Sequence, residues 1–211
     1  MDLIETAVRF FQNGGVFMYP IVVIFVLGLA VSIERIAFLR RTHARNHALW
    51  NEVVNDIASG NTQAARAHVE QSQAPLAPVL SFGLERSGAA ASRQDVELAM
   101  EEALMEVMPR LERRTPFIFV FANVATLLGL LGTIIGLIQG FTAVANVNPA
   151  EKANLLSTSI SVAMNTTAFG LMCAIPLLLI HAWLQARTTE VVDALEMTTV
   201  KFLNLIARDA R

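Results

Sequence analysis

The sequence predicts an all-α integral membrane protein with three transmembrane helices and long cytoplasmic helical extensions. Three observations predict it. Of the 211 residues 54% are hydrophobic and only 16% charged, with a mean hydropathy of +0.50, against roughly 25% charged residues in soluble domains. Three long stretches are free of charge, and no alternation of strand type stands out between them. The formal net charge of -2 provides no basic field for a nucleic-acid backbone, and the single Cys173 cannot form an internal disulfide.

Crossing about 30 Å of hydrocarbon takes about 20 helical residues. The first stretch runs from Val16 to Ile33, is closed by Glu34 and Arg35, and continues to Leu39, which gives a span over 16–39. The second has no charge between Arg114 and Glu151 and the third none between Lys152 and Arg187, giving spans over 116–144 and 157–184 joined by a loop over 145–156. Both stretches exceed what a bilayer needs, so the helices are expected to continue into the cytoplasm.

Positive flanks set the orientation. Arg40, Arg41 and Arg45 follow the first span, Arg110, Arg113 and Arg114 precede the second, and Arg187 follows the third, whereas the loop after the second carries only Lys152 beside Glu151. The N-terminus is therefore expected outside and the C-terminus, a helix over 185–211, inside. The start MDLIETAVRFFQNGG has the wrong charge for a cleaved signal peptide, so the first span is expected to remain. Residues 1–15 place Leu3, Ile4, Ala7, Val8, Phe10 and Phe11 at roughly helical spacing, the pattern of a helix lying in the outer interface, with a flexible lead-in as the alternative.

The cytoplasmic segment over 40–115 reads as helices broken at Ser59-Gly60-Asn61, at Pro75 to Pro78 and at Ser87-Gly88. Ser92 three residues before Asp95 starts a helix through Met108. Its apolar side is Ala99, Ala103, Leu104 and Val107, and its solvated side Glu97, Glu101, Glu102 and Glu106. Val191, Leu195, Thr198, Phe202 and Leu205 recur at spacings of four and three, which calls for a partner helix in this chain or in the next subunit.

The second span carries Gly129, Gly132, Gly136 and Gly140, the last three at a stride of four. Such a face lets helix backbones approach closely, within one chain or between subunits. Thr126 and Thr133 share a face beside it. The outer half of the third span holds Ser157, Thr158, Ser159, Ser161, Asn165, Thr166 and Thr167, with Gly170 following. One or two hydroxyls would bond their own backbone, but seven polar groups in eleven residues predict a polar wall facing a hydrated path or a polar partner helix. Neither span holds Asp, Glu, Lys or Arg, and His181 sits near the inner end. Hydroxyls do not titrate at physiological pH, so an ion path here needs an acid from another chain.

Other chemistry is thin. His43 and His47, four apart, have no evident third metal ligand. There is no G-x-S-x-G, phosphate loop or C-x-x-C, so neither an enzyme nor a cofactor is expected. Pro20 and Pro176 fall within spans and predict kinks.

From about Val16 to Leu205 these residues resemble the ExbB/TolQ branch of the ExbB/TolQ/MotA proton-channel family. The resemblance is carried by Glu34-Arg35 with Leu39, by the run from Pro75 to Gly83, by Leu128-Gly-Leu-Leu-Gly-Thr-Ile-Ile-Gly136, and by Thr166-Thr-Ala-Phe-Gly-Leu171 followed by Ala174-Ile-Pro176. It implies a bacterial inner-membrane homo-oligomer, a ring of five chains around single-span partners of the ExbD/TolR kind whose membrane aspartate carries the ion. It also implies an energy transducer of the TonB/TolA kind. Thr133 and Thr167 match the family's channel threonines, with Ser159, Asn165 and Thr166 as weaker candidates. Two positions depart from the pattern: Thr126 stands where many members have proline, and Val162 where ExbB and TolQ members commonly have glutamate. The implied function is ion-driven work on the cell envelope. A surface-motility motor and a non-conducting scaffold are the alternatives, and hydroxyl walls suit proton and sodium alike.

Overall fold

The computed structural model describes residues 10–11, 14–87, 92–145 and 147–209. Its elements are six helices: α1 (Met18–Ala58), α2 (Thr62–Gln71), α3 (Leu76–Arg86), α4 (Arg93–Glu112), α5 (Thr115–Ala145) and α6 (Pro149–Asp209). There is no strand among the described residues, and three helices are long and apolar enough to cross a membrane. The interfacial helix expected over 1–15 falls outside the described residues, apart from residues 10–11 and 14–15.

The chain forms two compact units: residues up to Ile33 with Arg114–Ala182, and Glu34–Arg113 with Trp183–Arg211. In the first, α1 enters through Gly14-Gly15, where Gly15 holds φ +74° and a Cβ would stand 3.3 Å from Val162. Pro20 lies in the first turn of α1, where the backbone N–H has no helical partner to lose. The kink expected there rests on a span starting at Val16, whereas the helix begins at Met18 and the proline takes no hydrogen bond from its interior. Helix α6 continues through Pro176. Farther along α1, Gly28 leaves room for Leu177, whose Cδ1 would be 2.8 Å from a Cβ. Ser32 returns its hydroxyl to the Gly28 carbonyl at 2.7 Å.

The second unit has an apolar core. Val53 and Ile57 of α1, Val69 of α2, Leu80 and Leu84 of α3, Met100 and Leu111 of α4, and Leu195 and Phe202 of α6 are each 3% exposed or less. Each such side chain contributes about 1.5–3 kcal/mol over leaving it in water. The partner of the Val191-to-Leu205 stripe is therefore this chain itself. Gly83 allows the fit, since a Cβ would lie 2.7 Å from Phe202 and 2.9 Å from the Met100 sulfur.

Helix ends in this unit are tied by their neighbours. At the end of α1, Gly60 takes φ +77°, its N–H bonds to the Ile57 carbonyl and that of Asn61 to the Asp56 carbonyl, both at 2.9 Å; this double bond is the usual glycine stop of a helix. Asn61 then accepts from Ala64 N at 3.1 Å to open α2. The first turn of α3 has no local side-chain cap, and Asn46 of α1 accepts from Leu76 N at 3.1 Å instead. Arg66 donates to the Leu84 carbonyl at 2.9 Å at the other end. Arg35, 2% exposed, donates to the Leu111 carbonyl near the end of α4 and lies over the Phe38 ring, 4.6 Å from its centroid. Cations belong at helix C-termini, where carbonyls lack partners and the helix dipole is negative.

Candidate functional site

Helices α5 and α6 are antiparallel neighbours along a seam of small residues. A Cβ on Gly129 would meet Gly170 Cα and Thr167 Cα at 3.3 Å; one on Gly132 would meet the Thr166 methyl at 2.4 Å; one on Gly136 would meet Ala163 Cβ at 3.1 Å; and one on Gly140 would meet Ser159 Cβ at 2.5 Å. The glycine stripe is used inside the chain, against α6. The advance from Gly129 to Gly140 along α5 is matched in total by the return from Gly170 to Ser159 along α6, so the register holds over the whole glycine run.

That register decides where the hydroxyls fall. Gly132 meets Thr166, and Thr133 and Thr167, one residue on in opposite directions, therefore stand within a turn of each other, at about one level of the seam. Both are half-buried. Thr167 donates across the seam to the Gly129 carbonyl at 2.8 Å, while Thr133 donates to the Leu130 carbonyl of its own helix at 2.5 Å. Thr166 differs from both: it is 2% exposed, and its hydroxyl bridges the Gly14 carbonyl at 2.5 Å and the Val162 carbonyl at 3.0 Å. Ser159 and Asn165 are half-buried, Ser159 against Gly140. Ser157, Thr158 and Ser161 are exposed, with Thr158 bonded to the Asn154 carbonyl at 2.9 Å. The polar residues of α6 thus divide between the seam and the outward side of the helix.

A threonine hydroxyl has one proton to give and two lone pairs to receive with. Here the hydroxyl protons of Thr133, Thr166 and Thr167 are committed to carbonyls. What remains at Thr133 and Thr167 is acceptor capacity, suited to a protonated carboxyl, a hydrated proton or a metal cation rather than to a bare carboxylate. Around them α5 is apolar, with Leu127, Leu130, Leu131, Ile134 and Ile138 exposed. Neither helix brings a fixed charge to the level of the two threonines.

Sequence reasoning did not find the Gly14 carbonyl as the partner of Thr166, because their separation of 152 residues leaves no local signal. Phe11 was similarly hidden: its ring packs edge-on against Tyr19 at 5.4 Å and Phe169 at 5.8 Å. The two histidines considered for a metal line a groove with Trp50, Val191 and Lys201. Asn51 Nδ2 sits 3.2 Å from His47 Nδ1, and no group of three metal-binding side chains occurs among the described residues.

A family profile described as the MotA/TolQ/ExbB proton channel family matches residues 71–197, more than half of the chain and the whole of the seam. The chain belongs to this family. It is 29% identical to a biopolymer transport protein ExbB homolog of Methanothermobacter thermautotrophicus, over 93% of this chain and 69% of that one. It is 30% identical to the biopolymer transport protein ExbB-like 3 of Synechocystis, over 79% of each chain. A match at 31% identity to the Tol-Pal system protein TolQ of Haemophilus influenzae covers 50% of this chain and 44% of that protein. Within the MotA/TolQ/ExbB family the chain stands with the ExbB/TolQ branch, a multi-pass membrane protein of the ion-driven, energy-transducing kind.

Proposed function

We propose that this chain is the ring-forming inner-membrane subunit of a proton-driven motor. Five copies enclose single-span partners of the ExbD/TolR kind, each with a membrane aspartate, and the work passes to an envelope transducer of the TonB/TolA kind. The N-terminus and the loop near Asn148 face outward, and the segment over 40–115 faces the cytoplasm. Support comes from the relatives, named for biopolymer transport and the Tol-Pal system. The observation that carries the reading is the pair of half-buried hydroxyls, Thr133 and Thr167, at one level of a seam without charge.

The chemistry follows from what those hydroxyls have left to offer. When the partner's carboxylate takes a proton, its charge no longer opposes transfer past an apolar wall, and its new O–H finds acceptors in Thr133 and Thr167. When the proton leaves, that contact is lost and the charge must return to water. One elementary charge crossing 100 mV releases about 2.3 kcal/mol, enough to bias steps between the near-equivalent positions of a symmetric ring.

Thr→Val keeps the shape and removes only the hydroxyl. In the Val variants at both sites we expect rings to assemble and ion-driven work to fall about tenfold or more, the worth of roughly 1.4 kcal/mol. At Thr167 a modest loss of stability accompanies this, about 0.6–1.7 kcal/mol for a hydrogen bond between membrane helices. Thr→Ser is expected to be milder. Measuring assembly and force-dependent activity for the four variants decides the matter: working Val rings beside collapsed Ser rings would make these threonines packing residues and end the ion-path reading.

A further inference from the structure

From Thr115 to Ala150 and from Ala153 to Ala186 the ionisable side chains are Cys173 and His181 alone. Cys173 is 3% exposed. His181 is half-buried, in a stretch otherwise made of Leu177, Leu178, Leu179, Ile180, Ala182 and Trp183. Its ring faces α5 and lies 5.5 Å from the Phe119 ring, tilted by 43°.

The position of this contact matters more than its geometry. Phe119 stands about four turns back from Thr133 on one stripe of α5, and His181 about four turns on from Thr167 on one stripe of α6, roughly 21 Å along the seam. The same register that brings the two threonines level brings His181 level with Phe119. The imidazole therefore occupies, toward the inner end, the place in the seam that Thr167 occupies farther out. Along its own helix the next ionisable group toward the C-terminus is Arg187, paired with Glu190; α5 carries none along its length, α1 none between Tyr19 and Glu34, and Glu34 on α1 and Arg114 just before α5 are the charged residues at this end of those helices.

We propose that His181 is this chain's own proton-exchanging side chain at the inner end of the Thr133–Thr167 seam. The inference rests on the ion-path reading above. A file of water along the roughly 21 Å from the partner's carboxyl carries the proton to one ring nitrogen: the water next to the ring gives up an O–H bond as the N–H bond forms, each water is reprotonated by the one behind it and the last by the carboxyl, and the imidazole becomes imidazolium. Cytoplasmic water then removes the proton from the other nitrogen, which returns a neutral ring with no change of oxidation state. Imidazole is the side chain that makes this exchange between about pH 5 and 8. An aromatic ring within about 6 Å stabilises the cation while it exists, and Phe119 stands in that place. The assignment also selects the ion, since an imidazole relays protons and not sodium.

The test uses the whole complex, drawn from its native membranes by a tag on this chain and reconstituted in phosphatidylethanolamine–phosphatidylglycerol vesicles with a trapped pH dye. In His181→Gln we expect intact rings, proton flux lower by about a hundredfold, the low end for a positioned acid–base group, and a flattened dependence on cytoplasmic-side pH. In His181→Ala, added imidazole restores flux and added pyrazole, equal in size but a far weaker base, does not. Wild-type flux and pH profile in His181→Gln overturn the proposal, as do equal rescue by both additives and loss of the ring in both variants. A wild-type complex that passes no ions overturns the ion-path reading itself, whereas a conducting wild type beside an unaffected His181→Gln sinks this inference alone.

Discussion

A methyl group placed on Gly170 would stand 2.8 Å from the Ala125 carbonyl oxygen and 3.1 Å from Gly129 Cα. Both obstacles are backbone and cannot swing aside. Gly170→Ala must therefore part α5 from α6 and stretch the bond from Thr167 to the Gly129 carbonyl, at a cost of about 1–3 kcal/mol. Thermal unfolding in detergent is expected to show a clear drop for Gly170→Ala. It should be smaller for Gly136→Ala, where the neighbour is a side-chain methyl at 3.1 Å. Equal melting of both variants and the wild type would mean that the seam tolerates more space than its backbone contacts imply. At this scale the glycine stride of four was legible in the sequence, because spacing on one helix is a local property. That it meets Ser159, Ala163, Thr166 and Gly170 was not, since which helix lies opposite depends on the fold.

Among the elements, α4 shows what local signals do carry. Ser92 Oγ accepts from Asp95 N at 3.2 Å and Asp95 accepts from Ser92 N at 3.1 Å, the reciprocal cap that the sequence predicted. The Ser92 hydroxyl also donates to Asp95 at 2.7 Å. The side-chain bond from Ser92 foremost, and its backbone N–H next, hold the Asp95 carboxyl below its ordinary value. A carboxylate with a depressed folded value contributes stability above its unfolded value and loses it as pH falls through the folded one. Near pH 7, Asp95→Asn and Ser92→Ala are expected to fray the start of α4, read as faster amide exchange at Val96 and Glu97. Below about pH 4 the wild type is expected to converge on the Asn variant. An exchange difference unchanged down to pH 2 would remove the carboxylate from the cap. The breaks after α1 and before α4 were legible for the same reason, their partners lying a few residues away. The ties from Asn46 to Leu76, Arg66 to Leu84 and Arg35 to Leu111 were not, for each joins two helices. Pro20 shows the converse, since its meaning depended on a helix boundary that hydropathy places only to within a turn.

For the whole molecule, the apolar surface left exposed among the described residues is the main datum. Val23, Val26 and Leu27 of α1 and Leu127, Leu131, Ile138 and Phe141 of α5 are all more than 40% exposed, as suits lipid or a further subunit. Native mass spectrometry of the detergent-solubilised protein is expected to give a closed ring of five; a monomer or dimer as sole species would count against the motor. For orientation, single cysteines at Ser87 and Asn148 in a Cys173→Ser background are to be labelled on intact cells with an impermeant reagent. Label at Asn148 and not at Ser87 is expected, and the reverse pattern would invert the topology. Composition made the three long apolar helices plain, because each must satisfy its own backbone in lipid. Partner and stoichiometry belong to surfaces whose covering chain lies elsewhere, and only resemblance spoke to them.

The lopsided α5 also bears on how such a protein can change over generations. On its outward side, Leu127, Leu130, Ile134 and Ile138 need only remain apolar for whatever covers them, so exchanges among Leu, Ile, Val and Phe cost little there. On its inward side Gly129, Gly132 and Gly140 admit no added carbon without displacing α6. In a library saturating every α5 position, survivors should therefore rise and fall in diversity with a period of about 3.6 residues. Descent with function intact is free along one flank of the helix and nearly frozen along the other.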